Sequence, residues 1–389
     1  MDRGALAQAL APFGDSTMLP PAAYTGQAVF DWERRHFFGG GWTCVARGDQ
    51  LPGPGDLRAE DAGDGGVLLA RGADGVVRAF ANVCRHRGHE LLPCGSTAQA
   101  KKAIVCPYHS WSFGIEGDLR GAPGYRGETG FDPARWSLID LPAVEWHGLV
   151  FVDGSRGAAG PLPLAELDPI VAPYEPERLV VAATHVYEAA ANWKILTENY
   201  QECYHCSSIH PELCRVSSPA SGENWAAAGA WIGGWMELRP GADSMSVDGS
   251  GAGVPLRGLS AEQLRMVVYV SVFPNVLLSL HPDYVMTHVM RPLGPDRTRI
   301  ECSWAFAPEA VGRLGFRPAP AVDFWDLVNR QDWAACESVQ RGLSSPHAVA
   351  GPLAPGEDAV YHFVTTVARG YLGERPVYRP ASTDGWNTF

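Results

Sequence analysis

The chain has 389 residues, of which 46% are hydrophobic and 19% charged, and a formal net charge of −12 at pH 7. This length is enough for two domains that each bury a core. The negative charge argues against nucleic acid or an anionic membrane as a partner. No segment resembles a secretion signal or a membrane span, so we expect a cytoplasmic protein. Nine scattered cysteines, an odd number, make a disulfide framework unexpected.

The pattern of turns and strand-like runs predicts three parts. Residues 1–40 are amphipathic and predict a helical segment. In residues 41–155, short β-forming runs alternate with Gly, Pro and Asp turns, which is typical of a small antiparallel β domain. A Gly- and Pro-rich linker, Gly154–Pro163, leads into residues 156–389, where further strand-like runs occur together with helices. The predicted domains are therefore 1–40, 41–155 and 156–389, in an α+β fold.

Two short loops within residues 41–155 carry alternating cysteines and histidines. Cys84 and His86 form a C-x-H pair, and Cys106 and His109 form a C-P-x-H pair about twenty residues later. Two thiolates on one iron and two imidazoles on the other are the ligands of a Rieske [2Fe-2S] cluster. The alternative is a structural zinc site of Cys2His2 type, but zinc-finger spacing places both cysteines before both histidines. The order of the ligands therefore favours the iron–sulfur cluster.

A predicted helix near residues 190–208 carries a second group of metal-binding side chains. Glu198, Glu202 and His205 are spaced so that they would share one helix face. His210 precedes Pro211, which disfavours helical geometry at His210. The helix is therefore expected to end before His210, so that the second imidazole can turn back toward His205. Two histidines with a distant carboxylate suit non-haem Fe(II). The alternative, a pair of ordinary histidines, is disfavoured by the iron–sulfur loops upstream.

The third ligand is predicted from the periodicity of a second helix, near residues 321–342. Asp332 falls within an apolar stripe at helical spacing. A carboxylate on a buried face is costly unless it is paired or binds a metal. An Asp neutralised by an arginine, or capping a neighbouring helix, is the alternative. The stripe consists of Trp325, Val328, Cys336 and Val339.

Several segments resemble the Rieske non-haem iron oxygenases, over roughly residues 40–370. The second cluster loop, CPYHSWSFGIEGDLRGAP (106–123), resembles that of the family, with Ser110 where the family usually has Gly. Respiratory-type Rieske proteins carry an extra cysteine in each loop, and here Tyr108 stands at that position in the second loop. The second half is similar to the quaternary-ammonium branch, which includes the glycine betaine, stachydrine and carnitine oxygenases and choline monooxygenase. The matching stretches are NWK (192–194), ENYQECYHC (198–206), HPEL (210–213), FPNVLLSLHPDYVMTH (273–288) and NRQDWAACESVQRGL (329–343).

The resemblance carries expectations about fold, assembly and roles. It implies a Rieske domain, a larger helix-grip (START-like) catalytic domain with an antiparallel sheet, and an N-terminal segment that packs on that domain. It implies a head-to-tail homotrimer in which a carboxylate links the Rieske histidine of one subunit to an iron ligand of the next. That role falls to Glu202, where most of the family has Asp, with His109 as its partner; the quaternary-ammonium branch tends to have Glu. The catalytic residues implied are Glu202, His205, His210 and Asp332.

The electrons are expected from another protein. No GxGxxG fingerprint follows a strand and opens a helix. We therefore expect NAD(P)H to act through a separate flavin or iron–sulfur reductase, with a [2Fe-2S] cluster and mononuclear Fe(II) as the cofactors of this chain.

The expected reaction uses O2 to hydroxylate a small quaternary ammonium or N-methyl substrate, with N-demethylation and release of formaldehyde. The alternatives are the large subunit of an oxygenase that hydroxylates aromatic rings, in aromatic hydrocarbon catabolism, and a pure electron carrier. Aromatic faces hold quaternary ammonium groups through cation–π attraction. Five aromatic residues, which are otherwise ordinary core, are candidates for such a cage: Trp225, Trp231, Trp235, Tyr269 and Phe273.

Overall fold

The computed structural model describes residues 3–378 except 64, 126–127, 129, 156–159, 226–228 and 252. The chain divides into two compact units. The smaller unit is Glu33–Leu162, and the larger combines Met1–Trp32 with Pro163–Phe389. The units thus begin at Glu33 and Pro163, against predicted domain starts at residues 41 and 156. Three helices lie in the N-terminal region, α1 (Arg3–Ala9), α2 (Ala22–Thr25) and α3 (Gln27–Glu33), and a π-helical turn, Arg34–Phe38, continues α3.

The smaller unit is built from short antiparallel strands. β5-β2-β3-β4-β9 form one sheet, β1-β11-β10 a second and β6-β7-β8 a third. The expected small antiparallel β domain is therefore confirmed. The strands are β1 (Trp42–Arg47), β2 (Asp56–Asp61), β3 (Gly66–Arg71), β4 (Val77–Ala81), β5 (Thr97–Gln99), β6 (Ile104–Val105), β7 (Ser112–Phe113), β8 (Leu119–Gly121), β9 (Asp140–Leu141), β10 (Ala143–Trp146) and β11 (Leu149–Asp153).

One apolar cluster of the smaller unit contains both cysteines of the cluster loops. Cys84 and Cys106 are buried with Phe80, Trp111 and Phe113. Fully burying a large apolar side chain contributes about 1.5–3 kcal/mol. The same packing that stabilises the sheets therefore fixes the bases of the two loops.

The larger unit contains a seven-stranded antiparallel sheet in its described part, with the order β12-β18-β17-β16-β15-β14-β13. Its central strand β16, VLLSL, is buried at every position. A strand that is buried on both faces does not need the alternation of apolar and polar residues that is typical of a half-exposed strand. The strands are β12 (Val180–Ala189), β13 (Glu223–Asn224), β14 (Trp231–Glu237), β15 (Met266–Val272), β16 (Val276–Leu280), β17 (Tyr284–Gly294) and β18 (Arg297–Phe306).

Helices complete the larger unit. The long α9 packs against α2, α5, α7 and β12, and α10 packs against α1, α5 and β14. An antiparallel sheet with helices confirms the predicted α+β class. No helix in the described part of the chain is long and apolar enough to cross a membrane. The helices are α4 (Asp168–Val171), α5 (Trp193–Tyr200), α6 (Cys206–Ile209), α7 (Pro211–Val216), α8 (Pro308–Val311), α9 (Ala319–Leu343) and α10 (Asp358–Tyr371).

Candidate metal centres and substrate cavity

Helix α5 positions the chain that leads into the larger unit's metal-binding residues. The side-chain oxygen of Asn192 caps it by accepting a hydrogen bond from the backbone N–H of Lys194 (3.1 Å). The amide Nδ2 of Asn192 donates to the carbonyl oxygens of Pro295 (2.7 Å) and Tyr24 (3.1 Å). These bonds tie the start of α5 to two distant segments of the chain.

The helix ends at Tyr200, earlier than predicted. Glu202 and His205 therefore lie in the turn that follows, and the prediction that they share one helix face with Glu198 is wrong. Glu198 is buried instead, and its carboxylate accepts a hydrogen bond from the hydroxyl of Tyr24 (2.8 Å). Burial raises the pKa of Glu198 to about 8, although the Tyr24 hydrogen bond and the charge of Lys194 oppose this rise.

His205, His210 and Asp332 converge. One ligand atom from each lies within 4.8 Å of the others. Nε2 of His210 lies 2.9 Å from Oδ1 of Asp332, and Nε2 of His205 lies 3.4 Å from the same atom. His210 has φ −120° and ψ 64° between α6 and α7, so the chain turns there, before Pro211. Two imidazoles and one carboxylate on one side of an ion fit non-haem Fe(II) with positions left open.

The apolar surroundings of Asp332 differ in part from the predicted stripe. Trp325, Val328 and Cys336 are buried on α9, whereas Val339 is 48% exposed. Asp332 therefore lies between the buried residues Val328 and Cys336, and the buried part of the stripe ends before Val339.

The electrostatics of these three residues suit a cation. Burial disfavours the charged form of His205, but the hydrogen bonds that its imidazole donates to Asp332 and Glu202 outweigh burial and raise its pKa to about 9. Burial likewise opposes ionisation of Asp332, yet the two histidines hold the pKa of its carboxyl below the ordinary value. A buried carboxylate that stays ionised attracts positive charge. A bound metal ion would displace the proton of His205.

Glu202 orients the imidazole of His205. Nδ1–H of His205 donates to Oε1 of Glu202 (2.5 Å), and the backbone N–H of His205 donates to Oε2 (3.2 Å). The backbone N–H of Tyr204 also donates to Oε2. With Nδ1 occupied in this way, Nε2 is the atom that faces Asp332. Carboxylates in this arrangement fix the tautomer and raise the basicity of ligating imidazoles.

Gln331 holds the other imidazole and was missed by the sequence reasoning. Nδ1–H of His210 donates to Oε1 of Gln331 (2.7 Å), and Nε2 of Gln331 lies 3.4 Å from Oε2 of Glu212. Gln331 directly precedes Asp332 in the chain. Its position next to a predicted ligand was the signal that the sequence offered. A single glutamine forms no periodic pattern, so nothing else distinguished it.

A disulfide joins Cys203 and Cys206, whose Cα atoms are 4.9 Å apart. The bond encloses Tyr204 and His205. This disulfide was not predicted, since an odd number of scattered cysteines argues only against a framework of several bridges. The backbone on both sides of a candidate ligand is thereby constrained.

A cavity of about 960 Å³ opens beside the three converging residues. Of the predicted cage residues, Trp235 and Tyr269 line it, whereas Trp225, Trp231 and Phe273 are not among the described lining residues. Trp325 was missed, although it lies two helical turns before Asp332 and so on the same face of α9. The aromatic residues that line the cavity are Tyr200, Tyr204, Trp235, Tyr269 and Trp325.

The smaller unit brings the four residues of the cluster loops together. Burial raises the pKa of the Cys84 thiol, and a hydrogen bond with Cys106 adds to this effect, so the two thiols are neighbours. The rings of His86 and His109 lie 4.6 Å apart, and His86 stacks on Trp111 (4.9 Å, 7°). Nδ1 of His86 is buried without a hydrogen-bond partner. Two buried thiols and an unpartnered imidazole nitrogen fit a Rieske cluster.

Two family models match the chain. The Rieske [2Fe-2S] domain matches residues 41–132, and the catalytic domain of the ring hydroxylating alpha subunit matches residues 176–373. These matches cover the loops of the smaller unit and the converging histidines and aspartate of the larger one.

Individual relatives are similar over much of the chain. The oxygenase subunit of glycine betaine monooxygenase from Chromohalobacter salexigens is 30% identical, over 86% of this chain and 81% of its own length. The oxygenase subunit of carnitine monooxygenase from Acinetobacter pittii is 38% identical over 49% of this chain and 52% of its own length. A crystal structure of the quaternary ammonium Rieske monooxygenase CntA in complex with its substrate L-carnitine superimposes with a TM-score of 0.74 at 26% identity, covering 95% of this chain and 98% of that one.

Proposed function

This chain belongs to the Rieske non-haem iron oxygenases of the ring-hydroxylating alpha-subunit family, and from that membership we propose that it oxidises an N-methyl group of a small quaternary ammonium compound. Its cofactors are a Rieske [2Fe-2S] cluster and mononuclear iron. The observation that carries the proposal is the aromatic-lined cavity beside His205, His210 and Asp332.

The proposed ligands follow from the two groups of converging side chains. His205, His210 and Asp332 hold the mononuclear iron. Glu202 keeps Nε2 of His205 aimed at it and links that imidazole to a Rieske histidine, with His109 as the proposed partner. The ligands of the iron–sulfur cluster are Cys84, His86, Cys106 and His109.

The aromatic walls of the cavity favour a cation that cannot donate a hydrogen bond. A quaternary ammonium offers methyl groups with a diffuse positive charge, which the faces of Trp and Tyr attract by about 0.5–2 kcal/mol each. The iron, when bound, supplies the activation of O2. Hydroxylation of an N-methyl carbon gives a hemiaminal, which breaks into formaldehyde and the demethylated amine.

The proposal includes partners and a location. A separate flavin or iron–sulfur reductase passes electrons from NAD(P)H to the Rieske cluster in the cytoplasm. A homotrimer in which each cluster faces the iron of the next subunit would give Glu202 its bridging role. A head-to-tail interface that closes into a ring is consistent with this arrangement.

A single-turnover experiment tests the reaction. The iron-loaded protein is reduced chemically, exposed to O2 with small quaternary amines or aromatic acids, and the products are identified by mass spectrometry. We expect formaldehyde with a demethylated amine, and neither from the His210→Ala variant. An oxidised aromatic product in place of the amine product would assign the chain to ring hydroxylation instead.

A further inference from the structure

The cavity beside the candidate iron site is lined by acidic side chains. Glu202 and Asp332 line it at the candidate iron site, and Glu223 and Asp358 also line it. Asp332 is the proposed iron ligand, so the charge of the metal offsets it. Glu223 is exposed, and the side-chain amide of Asn224 donates a hydrogen bond to Asp358 (2.7 Å). Four carboxyl side chains therefore line the cavity, and Glu223 and Asp358 are the two that contact neither candidate iron-binding histidine.

No lysine or arginine is among the described residues that line this cavity. The two arginines that flank the segment between β14 and β15 use their donors elsewhere. Arg239 donates to the carbonyl oxygen of Cys214 (2.8 Å). Arg265 donates to the carbonyl oxygens of Ala242 (2.6 Å) and Leu238 (2.9 Å). Both arginines lie outside the described lining of the cavity.

Two neutral donors also line the cavity. The hydroxyl of Tyr269 and Nε2 of Gln201 are buried and have no hydrogen-bond partner. Burial raises the pKa of Tyr269, so its hydroxyl keeps its proton. Buried donors of this kind cost free energy until a partner accepts their hydrogen bonds. A hydroxyl or amide oxygen can accept them without bringing a charge into the cavity.

From this distribution of charge we propose that the substrate is an N-methylated cation without a carboxylate, such as an amino alcohol, and not a zwitterionic betaine. The inference rests on the proposed function. A cation is attracted by the acidic lining and by the aromatic faces together. The carboxylate of a betaine would lose its water beside like charges and without a basic partner, which disfavours its binding.

The test compares substrates that differ in charge but little in size. Glycine betaine, its amide and choline are turned over by the iron-loaded holoenzyme with its reductase, and kcat/KM is measured from formaldehyde release. We expect choline and the amide to exceed glycine betaine by about tenfold or more. An equal or higher kcat/KM for glycine betaine would overturn the inference while leaving N-demethylation intact. Absence of formaldehyde from all three would overturn the proposed function as well.

Two variants separate the lining charges from general effects on the fold. In the double variant Glu223→Gln/Asp358→Asn, the ratio of kcat/KM for choline over glycine betaine should fall at least about threefold. Glu237→Gln is the matched control, since Glu237 is exposed and lies outside the described lining. The control should keep the wild-type ratio. An unchanged ratio in the double variant would contradict the role of the two carboxylates.

Discussion

Each imidazole of the candidate iron site is held through Nδ1 by a different kind of side chain. Glu202 accepts from His205 at 2.5 Å and Gln331 accepts from His210 at 2.7 Å. Both bonds turn Nε2 toward Asp332. A carboxylate places a negative charge beside the imidazole that it holds, whereas an amide does not. The two histidines are therefore held alike through Nδ1, but only His205 is held by a carboxylate, the kind of side chain suited to a bridge.

The bridging role of Glu202 can be tested by truncation. In Glu202→Ala we expect the Rieske spectrum and the iron content at saturating iron to be retained. Turnover coupled to NAD(P)H should fall by at least about tenfold, because the path from cluster to iron is interrupted. The reoxidation rate of the reduced cluster in a single turnover is the direct measurement. Normal coupled turnover in this variant would exclude the bridge.

Gln331→Leu provides the matched control. It removes the partner of the other imidazole and leaves Glu202 in place. Loss of such a partner typically costs 10- to 100-fold in metal affinity or activity, so we expect weaker iron binding, about 10-fold or more. Once iron is saturating, cluster reoxidation should approach the wild-type rate. Slow reoxidation in both variants would show that orientation, and not a bridge, is what Glu202 contributes.

Glu198 gives the larger unit a stability that depends on pH. Its folded-state pKa of about 8 lies above its ordinary value of 4.5, so the folded protein retains the proton between these values. The free energy of unfolding of the wild type should then fall as pH rises through that window. Glu198→Gln lacks this dependence. Between pH 4.5 and 8, the free energy of unfolding of this variant should rise by at least about 1 kcal/mol relative to that of the wild type, as measured by denaturant titration.

Sequence reasoning identified side chains that are unusual for their surroundings, and missed those whose role depends on a contact. The amino-acid sequence itself shows patterns such as an aspartate within an apolar stripe or cysteines that alternate with histidines. Gln331 and Glu198 acquire their roles from partners at His210 and Tyr24, far away in the chain. No local pattern encodes such pairs, so the tertiary structure was needed to find them.

At the scale of single elements, the second cluster loop contains a non-glycine residue in the left-handed region. Ser110 has φ +57°, and its backbone N–H donates to the carbonyl oxygen of Cys106 (3.1 Å). Gly88 has φ +71° in the first loop, where its N–H donates to the carbonyl oxygen of Cys84 (3.1 Å). The two loops thus turn in the same way, with a glycine in only one of them.

Replacing Ser110 by glycine should stabilise the smaller unit. Left-handed geometry costs a non-glycine residue about 1–2 kcal/mol, and glycine loses about 0.4–1 kcal/mol to the entropy of the unfolded chain. We expect Ser110→Gly to gain about 0.5–1 kcal/mol, seen as a higher temperature of cluster loss. Gly88→Ala is the opposite control: its Cβ would meet nothing within 4 Å, so any loss reflects the backbone alone. Equal midpoints for all three proteins would show that neither φ limits stability.

The type of element was easier to predict than its end. The predicted helix near 190–208 exists as α5 and α6 with a turn between them. Capping by Asn192 marks its start in the sequence, but nothing between Tyr200 and Cys206 is a strong helix breaker. The turn instead accompanies contacts of the Glu202 carboxylate with the backbone N–H groups of Tyr204 and His205. Such local side-chain bonds compete with the helix.

For the whole molecule, iron content distinguishes an oxygenase from an electron carrier. Two irons of a Rieske cluster and one mononuclear iron predict about three irons per chain, against about two for a carrier. His210→Ala should reduce the content to about two while the Rieske spectrum is unchanged. Inductively coupled plasma spectrometry on the purified proteins makes the measurement. A wild-type content of two that iron reconstitution does not raise would contradict the mononuclear site.

The mononuclear iron should also stabilise the fold, because its proposed ligands His210 and Asp332 lie far apart along the chain. The two side chains are 122 residues apart in sequence but adjacent in space. An ion bound to both is a cross-link that closes a long loop, and the unfolded chain has no preformed site for it. In the chain-entropy model, closing a loop of this size contributes about 4–5 kcal/mol. Chelating the mononuclear iron should therefore lower the unfolding temperature of the larger unit and spare the smaller one, so a cell that runs short of iron would lose folded enzyme along with its activity.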